Sequence, residues 1–130
     1  MKIKITIICI LLSIGAIMVC LYKTKIENIK FNADEIYRVN IIGCGSIGLN
    51  TDDKVKITQV VKYFNSIVYY KKSKPQTHNN SPEAKVVFFD KNDKILDKIE
   101  FYGDLVEYHN SQYRVILFMD YDKLENLCNN

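Results

Sequence analysis

The sequence predicts an α+β protein: an N-terminal transmembrane helix, then a β-α-β-β-β-β-α domain with a mainly antiparallel sheet and helices packed on one face. Three observations predict it. An uncharged run, Ile5 to Tyr22, opens the chain between lysines. Apolar residues Ile57, Val60, Val61, Phe64, Ile67 and Val68 then step by three and four, the spacing of one helix face. Short apolar runs between Ala84 and Phe118 are separated by breaks of two or three residues, too short for the crossovers that parallel strands need.

The leader comes first. At about 1.5 Å per residue, a helix over Ile5 to Tyr22 reaches roughly 27 Å, close to the hydrocarbon thickness of a bilayer. Lys2 and Lys4 precede it, and Lys23 and Lys25 follow it. Residues 1–25 therefore read as a membrane anchor or uncleaved signal, with the membrane as partner of residues 5–22. Two other readings stand beside this one. Cys20 would be the lipidated residue of a lipoprotein signal, although Val19 stands where that processing wants a small residue. Ser13 and Gly15 are spaced like a cleavage site, but a cut there would leave AIMVCLY exposed. The short basic N-terminus resembles an export signal, which puts a single-pass protein in the cell membrane with its domain outside the cytoplasm. Lysines at both ends leave the positive-inside rule little to choose between. Residues 26–33 read as a tether, and residues 34–130 as one small extracytoplasmic domain.

Within that domain, DEIYRVNII (Asp34 to Ile42) alternates, with Tyr37, Val39 and Ile41 on one side, as a half-buried strand does. Thr51 reads as an N-cap, with Asp52 and Asp53 where the helix dipole favours negative charge, so a helix is expected from Asp52 to Tyr69. The polar stretch Lys71 to Glu83 contains two prolines and reads as a loop, with His78 in solvent and a glycosylation triplet at Asn79–Ser81. AKVVFFD and KILDKIEFY flank turn residues Lys91 to Asp93, and Gly103 and Asp104 make a second break. LVEYH and YRVILF flank Asn110 to Gln112. Asp120 caps a final helix carrying Tyr121, Leu124, Leu127 and Cys128 at helical spacing. An oxidising setting would let Cys44 and Cys128 pair, though two distant cysteines have no diagnostic spacing.

Composition narrows the function. The chain carries 18 Lys and Arg against 15 Asp and Glu. Five of those lysines and one glutamate precede the domain, which keeps thirteen basic and fourteen acidic side chains. Nucleic-acid binders concentrate positive charge on the domain itself, so no nucleic-acid partner is expected. Gly43, Gly45 and Gly48 match the G-x-G-x-x-G of a dinucleotide turn, but Leu49, Asn50 and Thr51 separate the last glycine from the helix. Hairpins rather than crossovers follow, so these glycines are expected to allow a bulged strand end and a tight link to the helix. The calcium-loop likeness of DKNDKILDKIEF fails because Lys94 takes a ligand position and Phe101 replaces the bidentate glutamate. Nothing activates Cys44 or Ser46, His109 reads as an exposed strand end, and no spacing singles out Glu100 and Asp104 as acid and base. We therefore expect no enzyme, no catalytic residue, no cofactor and no metal.

The remaining candidate is a surface. If both helices cover one face, strand alternation leaves the other open. With Ile95, Ile99 and Phe101 inward on one strand and Tyr113 and Val115 inward on another, Lys98, Glu100, Tyr102 and Arg114 form a candidate partner face. Mixed charge around tyrosine suits protein binding. The element order over Asp34 to Cys128 is similar to one repeat of the TATA-binding-protein-like fold, a resemblance of fold that carries no DNA function. The leader together with KYFNSI, NNSPEAKVVFFD and IEFYGD resembles small membrane-anchored proteins of unknown function from low-GC Gram-positive bacteria. That resemblance implies location and fold. The expected function is a membrane-anchored, extracytoplasmic protein-binding module with an unidentified protein or peptide partner. The alternatives are an immunity or envelope-stress protein that neutralises a peptide or toxin, and a lipoprotein held through Cys20.

Overall fold

Alternation decides the first long strand. In the computed structural model, which describes residues 2–23, 26–27, 29–43, 45–72, 74–78, 80–116 and 120–130, Val39 and Ile41 are buried while Arg38, Asn40 and Ile42 take the other side. The elements run α1 (Lys2–Lys23), β1 (Ile26–Glu27), β2 (Arg38–Gly43), β3 (Gly48–Thr51), α2 (Lys54–Asn65), β4 (Tyr69–Lys71), β5 (Ala84–Phe89), β6 (Ile95–Tyr102), β7 (Leu105–Tyr108), β8 (Ser111–Val115) and α3 (Tyr121–Asn129). The strands form one eight-stranded antiparallel sheet in the order β1-β4-β8-β7-β6-β5-β2-β3. The α+β class and the antiparallel sheet are as the sequence predicts.

Strands β5 to β8 are neighbours in both sequence and sheet, because tight turns return the chain at once. Residues His109 and Asn110 make one such turn, both at positive φ (47° and 59°), as a type I′ hairpin demands. Helix α2 is different. It leaves the edge strand β3 and delivers the chain to β4 beside β8, so it must cross the sheet. Its buried side, Ile57, Val60, Val61, Tyr63 and Phe64, covers the core face. The Phe64 ring lies 5.7 Å from that of Phe101. Helix α3 adds Leu124 and Cys128 to the same core. It is tied to α2 by Lys56 Nζ, which donates to the Leu127 carbonyl at 2.8 Å, and by the Tyr63 hydroxyl, which donates to the Asp120 carbonyl at 2.9 Å. Both helices thus lie on one face.

Several expectations are corrected. Among the described residues, no helix is long and apolar enough to cross a membrane. The described side chains of α1 run from Thr6 to Val19, and they are exposed. The transmembrane helix and the single-pass localisation in the cell membrane fall on the absence of such a helix among the described residues. The side chain of Cys20 lies outside the described residues, as do Cys44 and Asn79, so the lipidation, disulfide and sequon readings do too.

The expected β-α-β-β-β-β-α order also omits three strands. After α1 the chain runs β-β-β-α-β-β-β-β-β-α. Residues 26–33 do not behave as a tether: β1 pairs with β4, and Ile29 and Phe31 are buried. Asn65 clasps this segment by accepting from Phe31 N at 2.8 Å and donating to Phe31 O at 2.9 Å. The α2 cap is Asp53, whose carboxylate accepts from Lys56 N at 2.8 Å, while Thr51 ends β3. The helix stops at Asn65 rather than Tyr69, because Tyr69 to Lys71 pair with β8. Finally, Ile95 is 63% exposed rather than buried. A register shift between Phe88 and Phe89 puts Ile95 opposite Phe89 and out of step with Ile99 and Phe101.

Candidate partner-binding face

Cross-strand register arranges the open face in rows. One runs Tyr70, Arg114, Leu105, Tyr102 across β4, β8, β7 and β6. The next runs Gln112, Glu107, Glu100, Lys85, Ile42 from β8 to β2. Lys98 lies in the row below, opposite Val87. All four sequence-predicted residues, Lys98, Glu100, Tyr102 and Arg114, therefore share the face opposite the helices.

Charge on this face is internally matched. Glu100 and Glu107 stand directly opposite each other, an arrangement that repels unless compensated. Compensation comes from four side chains. Lys85 and Lys98 approach the two Glu100 oxygens at 3.6 and 3.4 Å. His78 Nε2 donates to Glu107 Oε1 at 2.8 Å, and Gln112 Nε2 donates to the same oxygen at 3.0 Å. The His78 and then the Gln112 hydrogen bond hold the Glu107 carboxyl below its usual range. Arg114 Nε meets Asp104 Oδ2 at 2.9 Å, so the turn aspartate serves an arginine two strands away.

The loop before β5 crosses this face, which corrects the expectation of a solvent-exposed His78. The His78 ring packs on Tyr102 with centroids 3.8 Å apart. Gln76 and Gln112 exchange two hydrogen bonds, at 2.6 and 2.8 Å. Burial under the loop, followed by Glu100 and Glu107, pushes the Tyr102 hydroxyl pKa up. Leu105 and Val87 are buried on this side, apart from the main core cluster. His78 Nε2 is taken by Glu107, and Nδ1 is buried without a partner among the described residues. The imidazole therefore holds the loop to the sheet and presents no nitrogen to a ligand. Sequence reasoning missed Glu107, Gln112 and His78. Alternation in LVEYH places Glu107 on the open face, but nothing local announces that a distant histidine will meet it.

The remaining motifs resolve locally. Gly45 is at φ +69°, and the Gly43 N–H donates to Ile47 O at 2.8 Å, so the glycines close the β2–β3 hairpin rather than bulge a strand end into a helix. The first turn of α2 is occupied by its own Asp53 carboxylate. Asp90 accepts from Asn92 N and Lys94 N at 2.8 and 2.9 Å, which fixes the β5–β6 turn. Exposed His109 stacks on Tyr108 with centroids 4.0 Å apart, and its Nε2 lies 2.7 Å from Asp97 Oδ1 beside a cleft of about 290 Å³. Among the described residues, no group of three His, Cys, Asp or Glu could hold a metal ion. Compared with protein-family models, curated proteins and solved structures, the chain finds no match.

Proposed function

We propose that this chain is a non-catalytic protein-binding module that meets a protein or peptide partner through the open face of its sheet. One observation carries the reading. Helices α2 and α3 both cover one face of an eight-stranded sheet, and among the described residues no helix covers the other. That open side carries the ingredients of a contact patch. Arg114 and Lys98 keep about half of their side chains in solvent. Apolar Ile42 is 58% exposed on the same face. Arginine beside tyrosine, here Arg114 opposite Tyr70, is the composition enriched at interface centres.

Photo-cross-linking in the native cell tests the reading. A photoreactive residue is placed at Lys98 or Arg114, and at Asp34, exposed in the turn before β2, as control. The expected result is one discrete adduct from the two sheet positions, lost when Tyr70 and Ile42 are changed to Ala and Asp. Adducts as strong from Asp34, or none from the sheet, would end the reading.

A further inference from the structure

A groove of about 530 Å³ lies between α2 and α3. Tyr63 and Leu127 contribute apolar surface, Lys56, Lys62 and Lys123 contribute ammonium groups, and no acidic side chain lines it. Two parts of this lining are fixed. Lys56 Nζ is anchored on the Leu127 carbonyl in the last turn of α3. The Tyr63 hydroxyl is anchored on the Asp120 carbonyl, and Lys123 Nζ lies 5.9 Å from the centre of the Tyr63 ring.

The groove treats its charge differently from the strands of the sheet. Arg38, Lys71, Lys85, Lys98 and Arg114 on the sheet each pair with a carboxylate. Lys56, Lys62 and Lys123 pair with none among the described residues, in a domain whose acidic side chains outnumber its basic ones. Uncompensated positive charge over an apolar floor attracts a negatively charged ligand that also has something to bury.

We propose that the α2–α3 groove binds an acidic peptide segment of a partner protein. Its carboxylates would meet Lys56, Lys62 and Lys123, and an apolar side chain would rest on Tyr63 and Leu127. A nucleic acid is a poorer fit, since three lysines without arginine on a domain of net negative charge make a short cationic track. This site is distinct from the open sheet face and stands or falls separately from it.

Fluorescence anisotropy on the full chain at low salt tests the proposal. The probe is a short labelled peptide rich in Glu and Asp around one Leu. Its competitors are the matching Gln and Asn peptide, phosphatidylglycerol vesicles and single-stranded oligo-dT. The acidic peptide should bind and the amide peptide should not. The exposed-site variants Lys62→Glu and Lys123→Gln should each weaken binding, the first by about tenfold, with unchanged circular dichroism. Lys91→Ala, exposed in the β5–β6 turn, should leave affinity unchanged. Equal binding of the amide peptide, no binding at all, indifference to the lysine variants, or preference for vesicles or oligo-dT would each overturn the proposal.

Discussion

Gly45 holds the β2–β3 turn at φ +69°, where a Cβ is strained whatever space surrounds it. Gly45→Ala should therefore cost about 1–2 kcal/mol, read as a lower urea midpoint with an unchanged slope. At Gly43 the obstacle is contact: an added Cβ would stand 2.8 Å from Ile47 Cβ. The same economy governs Glu107, whose carboxyl is held below its ordinary value of 4.5 by His78 and then Gln112. A lowered carboxylate contributes stability that is complete above its unfolded pKa and fades as pH falls through the folded one. Glu107→Gln should thus be less stable than the parent at neutral pH, and the gap should close below about pH 4 in acid denaturation. The glycine spacing was legible as turn chemistry. The histidine was not, because its partner lies on a strand 29 positions away.

Among the elements, α2 and α3 are both capped by aspartate: Asp53 accepts from Lys56 N, and Asp120 accepts from Lys123 N at 3.0 Å. Asp120→Ala should cost about 1 kcal/mol and raise hydrogen exchange along α3 first. Asn65 is more consequential, since its amide satisfies both backbone groups of Phe31. Asn65→Ala should cost about 1–3 kcal/mol and deprotect the Phe31 amide, because part-buried polar groups lose their partners. Helix periodicity located α2 correctly but ran past its end. Ile67 and Val68 continue the three-four step, and Ile67 is indeed buried. Yet the chain turns there, with Ser66 N and Ile67 N donating to Tyr63 and Phe64 carbonyls. The residues beyond find ladder bonds to β8, and Tyr69 meets Tyr113 edge-on at 6.3 Å. Tertiary pairing outweighs local propensity in such short segments.

At the scale of the molecule, one core joins the sheet to both helices, and Phe64 sits at its centre with no exposed surface. Phe64→Ala should cost about 3–5 kcal/mol, a large share of the 5–15 kcal/mol available to a domain of this size, and should broaden or abolish the thermal transition. The double variant Tyr70→Ala with Arg114→Ala removes one exposed and one partly buried side chain, neither of them in the core cluster. It should cost no more than about 1 kcal/mol while weakening the sheet-face cross-link. The loop carrying Gln76 and His78 narrows what that face offers a partner. Arg114 and Lys98 stay exposed and Tyr70 partly so, whereas Tyr102 lies beneath the imidazole.

From the sequence by itself came the α+β class, the meander of β5 to β8, the inward set Ile99, Phe101, Tyr113 and Val115, and the shared face of Lys98, Glu100, Tyr102 and Arg114. Each follows from a period of two or of 3.6 and from turn residues, signals written within a few neighbouring positions. Only the tertiary structure decided the rest. It recruited β1, β3 and β4 into the sheet, turned Ile95 outward at a register shift, laid the His78 loop over Tyr102, and gathered three lysines between α2 and α3. Strands of two to four residues have no period to display. β3 closes a hairpin on its neighbour β2, whereas the places of β1 and β4 are settled by distant edges that complete their ladders with them.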